Sequence, residues 1–218
     1  MEQKPRAFSS KKRYVAAVII ATIVFLLIFA VSYSLSYLEF QRISNLQTGV
    51  GYDLFEDKLD YSFFGSSLCD TTSFEKVSQD LRFQGIIIDD LERKLGKQDE
   101  NVLLRKKFYS LIEIEHFEFV KAFNGKCSPK IDTILFFYSN NKSKAAQSEE
   151  AGKILGVIFS KNKELVIYSF DFDLDSDLVN KMETKYNITG SEVPVIIVNE
   201  KTKLDMPSNI QEIEKYLS

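Results

Sequence analysis

The most restrictive feature of this chain is a long uncharged segment near its N-terminus. No Asp, Glu, Lys or Arg occurs in Tyr14–Leu38, and Val15–Val31 is almost wholly apolar. An α-helix rises about 1.5 Å per residue, so the segment is long enough to cross the roughly 30 Å hydrocarbon layer. We therefore predict a transmembrane helix over residues 14–38. The alternative is a cleaved signal peptide ending at Ala30-Val31-Ser32, although the apolar run exceeds the core of about 7–15 residues usual for signals.

The charges on either side of this segment predict its orientation. Residues 1–13 form a basic tail, whereas acidic and basic residues are mixed after residue 38. Because positive charge favours the cytoplasmic side, we expect a single-pass protein of the cell membrane with residues 1–13 in the cytoplasm and the C-terminal domain extracytoplasmic. The tail contains one acid, Glu2, and the basic residues Lys4, Arg6, Lys11, Lys12 and Arg13.

The composition limits the possible chemistry. A net charge of -3 gives no basic field, so nucleic acid is not an expected partner. With one histidine and two cysteines there is no Cys/His zinc cage, and His116 is interpreted as a packing or surface residue. The acidic run Asp171–Asp177 lacks calcium-loop spacing, because Leu178 and Thr184 stand where an EF-hand needs Gly and Glu. We expect no metal and no cofactor.

Helical patterns follow the membrane segment. Residues 39–71 predict a juxtamembrane helix, weakened at Gly49 and Gly51, and a closing loop. Residues 72–128 predict a helical hairpin, in which Asn124-Gly125 ends the second helix. An apolar stripe on that helix is expected to face the core: Leu103, Leu104, Phe108, Leu111, Ile112, Phe119 and Val120, with Glu115 among them.

After Pro129 the pattern changes to α/β. Apolar runs rich in β-branched and aromatic residues at 133–138, 165–170 and 195–198 predict strands covered on both faces. Helical segments lie between them, and a short strand and a closing helix complete the order β-α-β-α-β-β-α over residues 129–218.

Several phrases in this region resemble membrane-anchored thioredoxin-like proteins of prokaryotes, particularly archaea: Ile134–Asn140, Val166–Asp171, Lys185–Thr189 and Val193-Pro194. The resemblance implies a thioredoxin-like mixed sheet, a cis peptide bond before Pro194, and peptide binding through Val193 and Pro194. It also implies a Cys-x-x-Cys motif in the loop after the first strand. That loop contains no cysteine here; its residues are Ser139, Asn140, Asn141, Lys142, Ser143, Lys144, Ala145 and Ala146.

The missing motif decides the expected function. Thiol exchange needs a thiolate of lowered pKa and a second thiol that resolves the mixed disulfide. We therefore expect a non-catalytic protein- or peptide-binding or scaffold module, with another envelope protein or a peptide as partner. The alternatives are a thiol-disulfide oxidoreductase or isomerase using Cys69 and Cys127, and a structural anchor subunit.

The two cysteines flank the predicted hairpin, whose antiparallel helices would bring its ends together. A structural Cys69–Cys127 disulfide is the favoured interpretation, and an exchanging dithiol or two free thiols are the alternatives. Asn141 and Asn187 begin N-glycosylation sequons, which are usable only outside the cytoplasm.

Overall fold

The computed structural model describes residues 8–59, 69, 71–162, 164–207 and 209–217. The chain divides into two compact units, Met1–Asn45 and Leu46–Ser218. Helix α1, Phe8–Leu59, contains a segment, Lys11–Arg42, that is long and apolar enough to cross a membrane. The predicted span is therefore helical.

The predicted juxtamembrane segment is helical as far as Leu59. Helix α1 continues through Gly49 and Gly51 without a break. Each interior glycine lowers the stability of a helix by about 1 kcal/mol relative to alanine, and the helix is continuous here in spite of both glycines. The predicted closing loop falls largely on residues 60–68 and 70, which lie outside the described residues.

The predicted hairpin consists of α2, Thr71–Leu95, and α3, Glu100–Lys126. The turn between them begins at Gly96, whose φ of 97° places it in the left-handed region that glycine tolerates. Asp99 then caps α3, because its Oδ1 accepts hydrogen bonds from the backbone N–H groups of Asn101 and Val102 at 2.9 and 3.3 Å.

The buried face of helix α3 agrees with the prediction only in part. Three members of the predicted apolar stripe, Leu104, Phe108 and Leu111, are 65%, 41% and 41% exposed. The buried face instead carries many polar side chains, and those of Lys106 and His116 have partners on α2 and on the sheet. Ile112 and Val120 of the stripe are buried as predicted, at 4% and 0% exposure. Polar groups with such partners can also be buried, so the apolar pattern alone identified only part of the buried face.

The end of α3 also differs. The helix runs through the predicted stop at Asn124-Gly125 to Lys126. The Asn124 side chain holds the following segment instead. Its Nδ2 donates to the Ile131 carbonyl and its Oδ1 accepts from the Ile131 N–H, both at 2.8 Å.

The remaining elements form a mixed α/β domain with the predicted element order. Its sheet has the strand order β2-β1-β3-β4, in which β1 and β2 are parallel and the other neighbours are antiparallel. The strands are β1 Thr133–Tyr138, β2 Val166–Asp171, β3 Val195–Val198 and β4 Thr202–Asp205, and the helices are α4 Ala145–Lys161, α5 Asp177–Lys185 and α6 Ile210–Glu214.

Alternation along the strands produces two hydrophobic cores, one on each face of the sheet. Leu135 and Phe137 of β1 join Phe117 of α3 and residues of α5 on one face. Ile134 and Phe136 pack against α4 and α6 on the other. Because both faces are covered, the strand sequences are nearly continuous apolar runs. Strand β2 lies at one edge of the sheet, next to the helical hairpin.

Candidate functional site

The loop after β1, where the resemblance places a redox motif, is held by an acidic residue. One oxygen of Asp173, Oδ2, accepts hydrogen bonds from Ser139 Oγ at 2.7 Å and from the backbone N–H groups of Asn140 and Asn141 at 2.9 and 3.0 Å. Successive N–H groups that converge in this way form an anion-binding arrangement, and here the chain's own carboxylate occupies it. The acidic run at 171–177 thus contributes to the structure of this loop.

The Val193–Pro194 peptide bond is cis, as the resemblance implies. The loop after β1 contacts the loop before Pro194, because Lys144 Nζ donates to the Ser191 carbonyl at 2.9 Å. Val193, however, is 0% exposed, and Pro194 is buried as well. The backbone predicted to pair with a peptide is therefore not accessible to solvent in this conformation.

The two cysteines form a disulfide, with their Cα atoms 5.5 Å apart. It joins the start of α2 to the residue that follows α3, as the hairpin prediction required. Cys127 is 4% exposed and packs with Val120, Phe123 and Ile131, so its sulfur lies in a hydrophobic cluster. This environment is typical of a structural disulfide rather than of an exchanging one.

Both predicted glycosylation residues, Asn141 and Asn187, are exposed. Asn187, two residues after the end of α5, has a positive φ of 50°. Exposure is necessary for modification, and glycosylation at these residues stays a prediction.

A buried ion-pair network connects the hairpin to the sheet. Lys106 of α3 donates to Glu92 Oε1 of α2 at 2.7 Å and to Asp171 Oδ2 at the end of β2. The side chains of Lys106 and Asp171 are each 4% exposed. Burial tends to lower the pKa of Lys106, but Tyr138, Asp171 and Glu92 outweigh burial and raise that pKa above its ordinary value. Lys106 therefore stays charged, and it joins three elements at the carboxyl end of β2.

His116 is also part of the buried face of α3, which confirms its interpretation as a packing residue. Its Nε2 lies 3.1 Å from Ser78 Oγ on α2, and its Nδ1 lies 2.9 Å from the Tyr168 hydroxyl on β2. Burial lowers the pKa of His116 to about 3, so the ring is neutral across the physiological range.

A cavity of about 590 Å³, which we call the hairpin groove, lies beside the helical hairpin. It adjoins a second cavity of about 500 Å³, which Lys106 and Asp171 line. The hairpin groove lies between α2 and α4, and its floor is formed by α3 and β2. Four consecutive residues of β2, Val166–Ser169, line it, so the groove follows the free edge of this strand. Its volume and mainly apolar lining suit a small or extended ligand. The other lining residues are Ser78, Leu81, Arg82, Gly85, Ile86, Asp89, Tyr109, Glu113, Phe136, Gly152, Leu155, Gly156, Phe159 and Leu165.

Glu113 is the acidic side chain at the floor of the groove, and it is 1% exposed. Its Oε1 accepts a hydrogen bond from the Ser169 N–H, which faces outward from the sheet edge, at 2.8 Å. Its Oε2 has no hydrogen-bond partner among the described residues. A buried oxygen that forms no hydrogen bond lowers the stability of the folded protein by about 1–3 kcal/mol. A ligand that donates a hydrogen bond to this oxygen, or a proton bound to it, would reduce that loss.

Buried side-chain atoms of Gln84 and Glu183 also lack partners among the described residues. Neither side chain lines the hairpin groove. Glu113 is thus the unsatisfied group that a molecule in the groove can reach.

Sequence reasoning missed this groove, although one signal for it was present. Gly85 lies inside α2, Gly152 and Gly156 lie inside α4, and all three line the groove. A Cβ at Gly85 would approach the Tyr109 hydroxyl at 3.0 Å, whereas one at Gly156 would meet nothing within 4 Å. Glycines inside helices cost stability, so three of them in two helices indicate close approach or open space.

Comparison of the chain with protein-family models, with curated proteins and with solved structures found no match.

Proposed function

We propose that this chain is a membrane-anchored, extracytoplasmic binding module with a thioredoxin-like domain that lacks redox chemistry, and that the hairpin groove is its ligand site. One observation carries the proposal: a buried carboxyl oxygen, Glu113 Oε2, has no hydrogen-bond partner among the described residues and lies at the floor of a mainly apolar groove of about 590 Å³. Ligand sites are mostly apolar and carry a few such polar groups.

Three features support the thioredoxin-like assignment. The order β-α-β-α-β-β-α is arranged in a sheet of order β2-β1-β3-β4 with helices on both faces. A cis bond precedes Pro194 just before β3. The loop after β1 contacts the loop before Pro194 through Lys144 and Ser191.

Strand pairing at Val193, the binding mode that the resemblance implies, receives less support. The residue is fully buried, so its backbone would first have to become accessible. The free edge of β2 in the hairpin groove offers a ligand more room.

The location of the domain outside the cell is supported by the basic residues 1–13 and by the disulfide, because disulfides persist in oxidising compartments. Labelling of intact cells under reducing conditions tests it. A membrane-impermeant maleimide should modify the exposed Cys69. Labelling only after the membrane is breached would show that the orientation is reversed.

The redox alternative is tested by insulin reduction. The buried Cys127 and the cysteine-free loop argue against exchange, so we expect no activity. Activity that disappears in Cys69→Ser would establish the alternative instead.

Photo-crosslinking in native membranes tests the groove. Ile86 lies in the groove lining and is 65% exposed, so p-benzoylphenylalanine at this position should crosslink to the ligand. The crosslink should vanish when Gly156→Leu fills the groove. The same probe at Leu178, which is exposed on α5 outside the groove, should give no such product. Absence of a crosslink at Ile86, or its persistence with Gly156→Leu, would overturn the proposal.

A further inference from the structure

The chemistry at the floor of the hairpin groove defines the kind of ligand it fits. The Glu113 carboxyl is fixed at one oxygen, because Oε1 accepts from the Ser169 N–H. Oε2 remains for a ligand. The walls around it are mainly apolar, and α4 contributes only Gly152, Leu155, Gly156 and Phe159.

Titratable and charged groups face this floor from three elements. On α3 this is Tyr109, on β2 Tyr168, and on α2 Arg82 and Asp89; the residues of α4 in the lining carry no charge. His116 of α3 does not line the groove, but its Nδ1 lies 2.9 Å from the Tyr168 hydroxyl.

None of these groups supplies a positive charge directed at Oε2. His116 is neutral, with its ring nitrogens directed at Ser78 and Tyr168. The Arg82 guanidinium lies over the Phe159 ring, 4.8 Å from its centroid. An ionised carboxylate here would be buried without a counter-ion, which is energetically costly.

Burial therefore raises the pKa of Glu113 to about 8. The Ser169 N–H, which hydrogen-bonds Oε1, and the nearby Tyr109 hydroxyl, which lies outside hydrogen-bond geometry with Oε2, only partly oppose this rise. At neutral pH the carboxyl is protonated. Since Oε1 already accepts a hydrogen bond, the proton resides on Oε2, which then acts as a donor.

We propose that the hairpin groove binds a neutral amphiphile, whose carbonyl oxygen accepts a hydrogen bond from Glu113 Oε2 while its alkyl chain lies along the apolar walls. This inference rests on the proposed function and adds the chemical class of the ligand. An ammonium head group would require the carboxyl to lose its proton. A carboxylate head group would bring an anion into a site with no cation directed at it.

A series of three ligands with the same chain separates these possibilities. Octanamide, octanoate and octylamine are titrated against the full-length protein in nanodiscs, and binding to empty nanodiscs is subtracted. Octanamide should bind saturably and most tightly. Stronger binding of octylamine or octanoate than of octanamide, or no octanamide binding above the empty discs, would overturn the ligand class.

The pH dependence provides a second readout. Protonated Glu113 is the donor, so octanamide affinity should be constant below the pKa of about 8 and fall as pH rises above it. Above its pKa the protonated fraction of a carboxyl group falls tenfold per pH unit, so octanamide affinity should decrease about thirty-fold between pH 6.5 and 9.5. An affinity that does not change over this range in the wild type contradicts the proposal.

Two substitutions at Glu113 complete this test. Glu113→Gln keeps an oxygen for the Ser169 N–H and an amide donor for the ligand, so it should bind octanamide without the pH dependence. Glu113→Leu should lose most of the binding, and its far-ultraviolet spectrum reports whether it still folds.

Two glycine substitutions distinguish failure of this inference from failure of the proposed function. Gly156→Leu fills the groove and should abolish octanamide binding, whereas Gly125→Leu, a helical glycine outside the groove, should not. If octanamide does not bind but Gly156→Leu still abolishes the crosslink at Ile86, the ligand class is wrong and the groove remains the site. If neither readout responds to Gly156→Leu, the proposed function itself fails.

Discussion

Replacement of Lys106 by methionine removes the cation between Asp171 and Glu92 but keeps most of the side-chain volume. The side chains of these three residues are 4%, 4% and 11% exposed, so two buried carboxylates lose their counter-ion. Breaking a buried pair in this way costs about 3–5 kcal/mol. Asp171 retains the amide of Asn140, which donates at 2.8 Å, and we therefore expect a value near the lower limit, about 3 kcal/mol.

Thermal unfolding of the full chain in nanodiscs, followed by circular dichroism, measures this cost. For a unit of this size each kcal/mol shifts Tm by about 2–4 °C, so Lys106→Met should melt about 6–12 °C below the wild type. Lys107→Met is the matched control, because Lys107 pairs with Asp175 while their side chains are 39% and 98% exposed. An exposed pair contributes about 0–1 kcal/mol.

The reasoning is refuted if the two variants melt within about 2 °C of each other. A double variant provides a further check. Asp171→Asn removes the charge that Lys106→Met leaves unpaired, so the two substitutions together should cost less than the sum of their separate effects.

Three further predictions concern the disulfide, the loop after β1 and the buried histidine. Reduction of the Cys69–Cys127 disulfide should lower the free energy of unfolding by about 4 kcal/mol, because it closes a loop with a sequence separation of 58; an unchanged denaturation midpoint with reductant would contradict this. Asp173→Ala should accelerate amide hydrogen exchange in the loop after β1, since three donors lose their acceptor, whereas Asp175→Ala, at a carboxylate 98% exposed, should leave exchange there unchanged. The pKa of His116 is about 3 in the folded protein and about 6.5 in the unfolded chain. Between these values only the unfolded chain binds the proton, so the free energy of unfolding falls as the pH falls from 6.5 towards 3. From pH 7 to pH 5 the free energy of unfolding should fall by about 2 kcal/mol more in the wild type than in His116→Gln. If denaturant titrations show an equal fall in both proteins, the lowered pKa of His116 is disproved.

The sequence contained enough information for the strands and for the pairing of the cysteines. Strands covered on both faces are continuous apolar runs, and the predicted segments at 133–138 and 195–198 coincide with β1 and β3. The hairpin predicted that Cys69 and Cys127 would meet, and they do. These features depend on local pattern and on short connections, which a single sequence records.

The buried face of α3 could not be predicted in the same way. Lys106 and Lys107 are adjacent and chemically identical, yet one is buried and the other pairs at the surface. The difference arises from Asp171, which lies 65 residues further along the chain and meets Lys106 only when β2 packs beside the hairpin. Glu113 is a similar case, because its partner is a backbone N–H of β2. Partners that are distant in sequence leave no periodic signal.

The loop after β1 and the hairpin groove differ in whether their polar groups are already used by the protein, and this difference is the reason that we propose the groove as the binding site. In the loop, Ser139 Oγ and the N–H groups of Asn140 and Asn141 are already committed to Asp173, so a ligand would have to displace a carboxylate of the protein to use them. In the groove, Glu113 Oε2 has no partner to displace in the part of the chain that the structure describes, and a Cβ at Gly156 in the groove lining would meet nothing within 4 Å. Because a ligand gains most where it satisfies a polar group that folding left unpaired, the free energy available for binding is greater in the groove than at the loop.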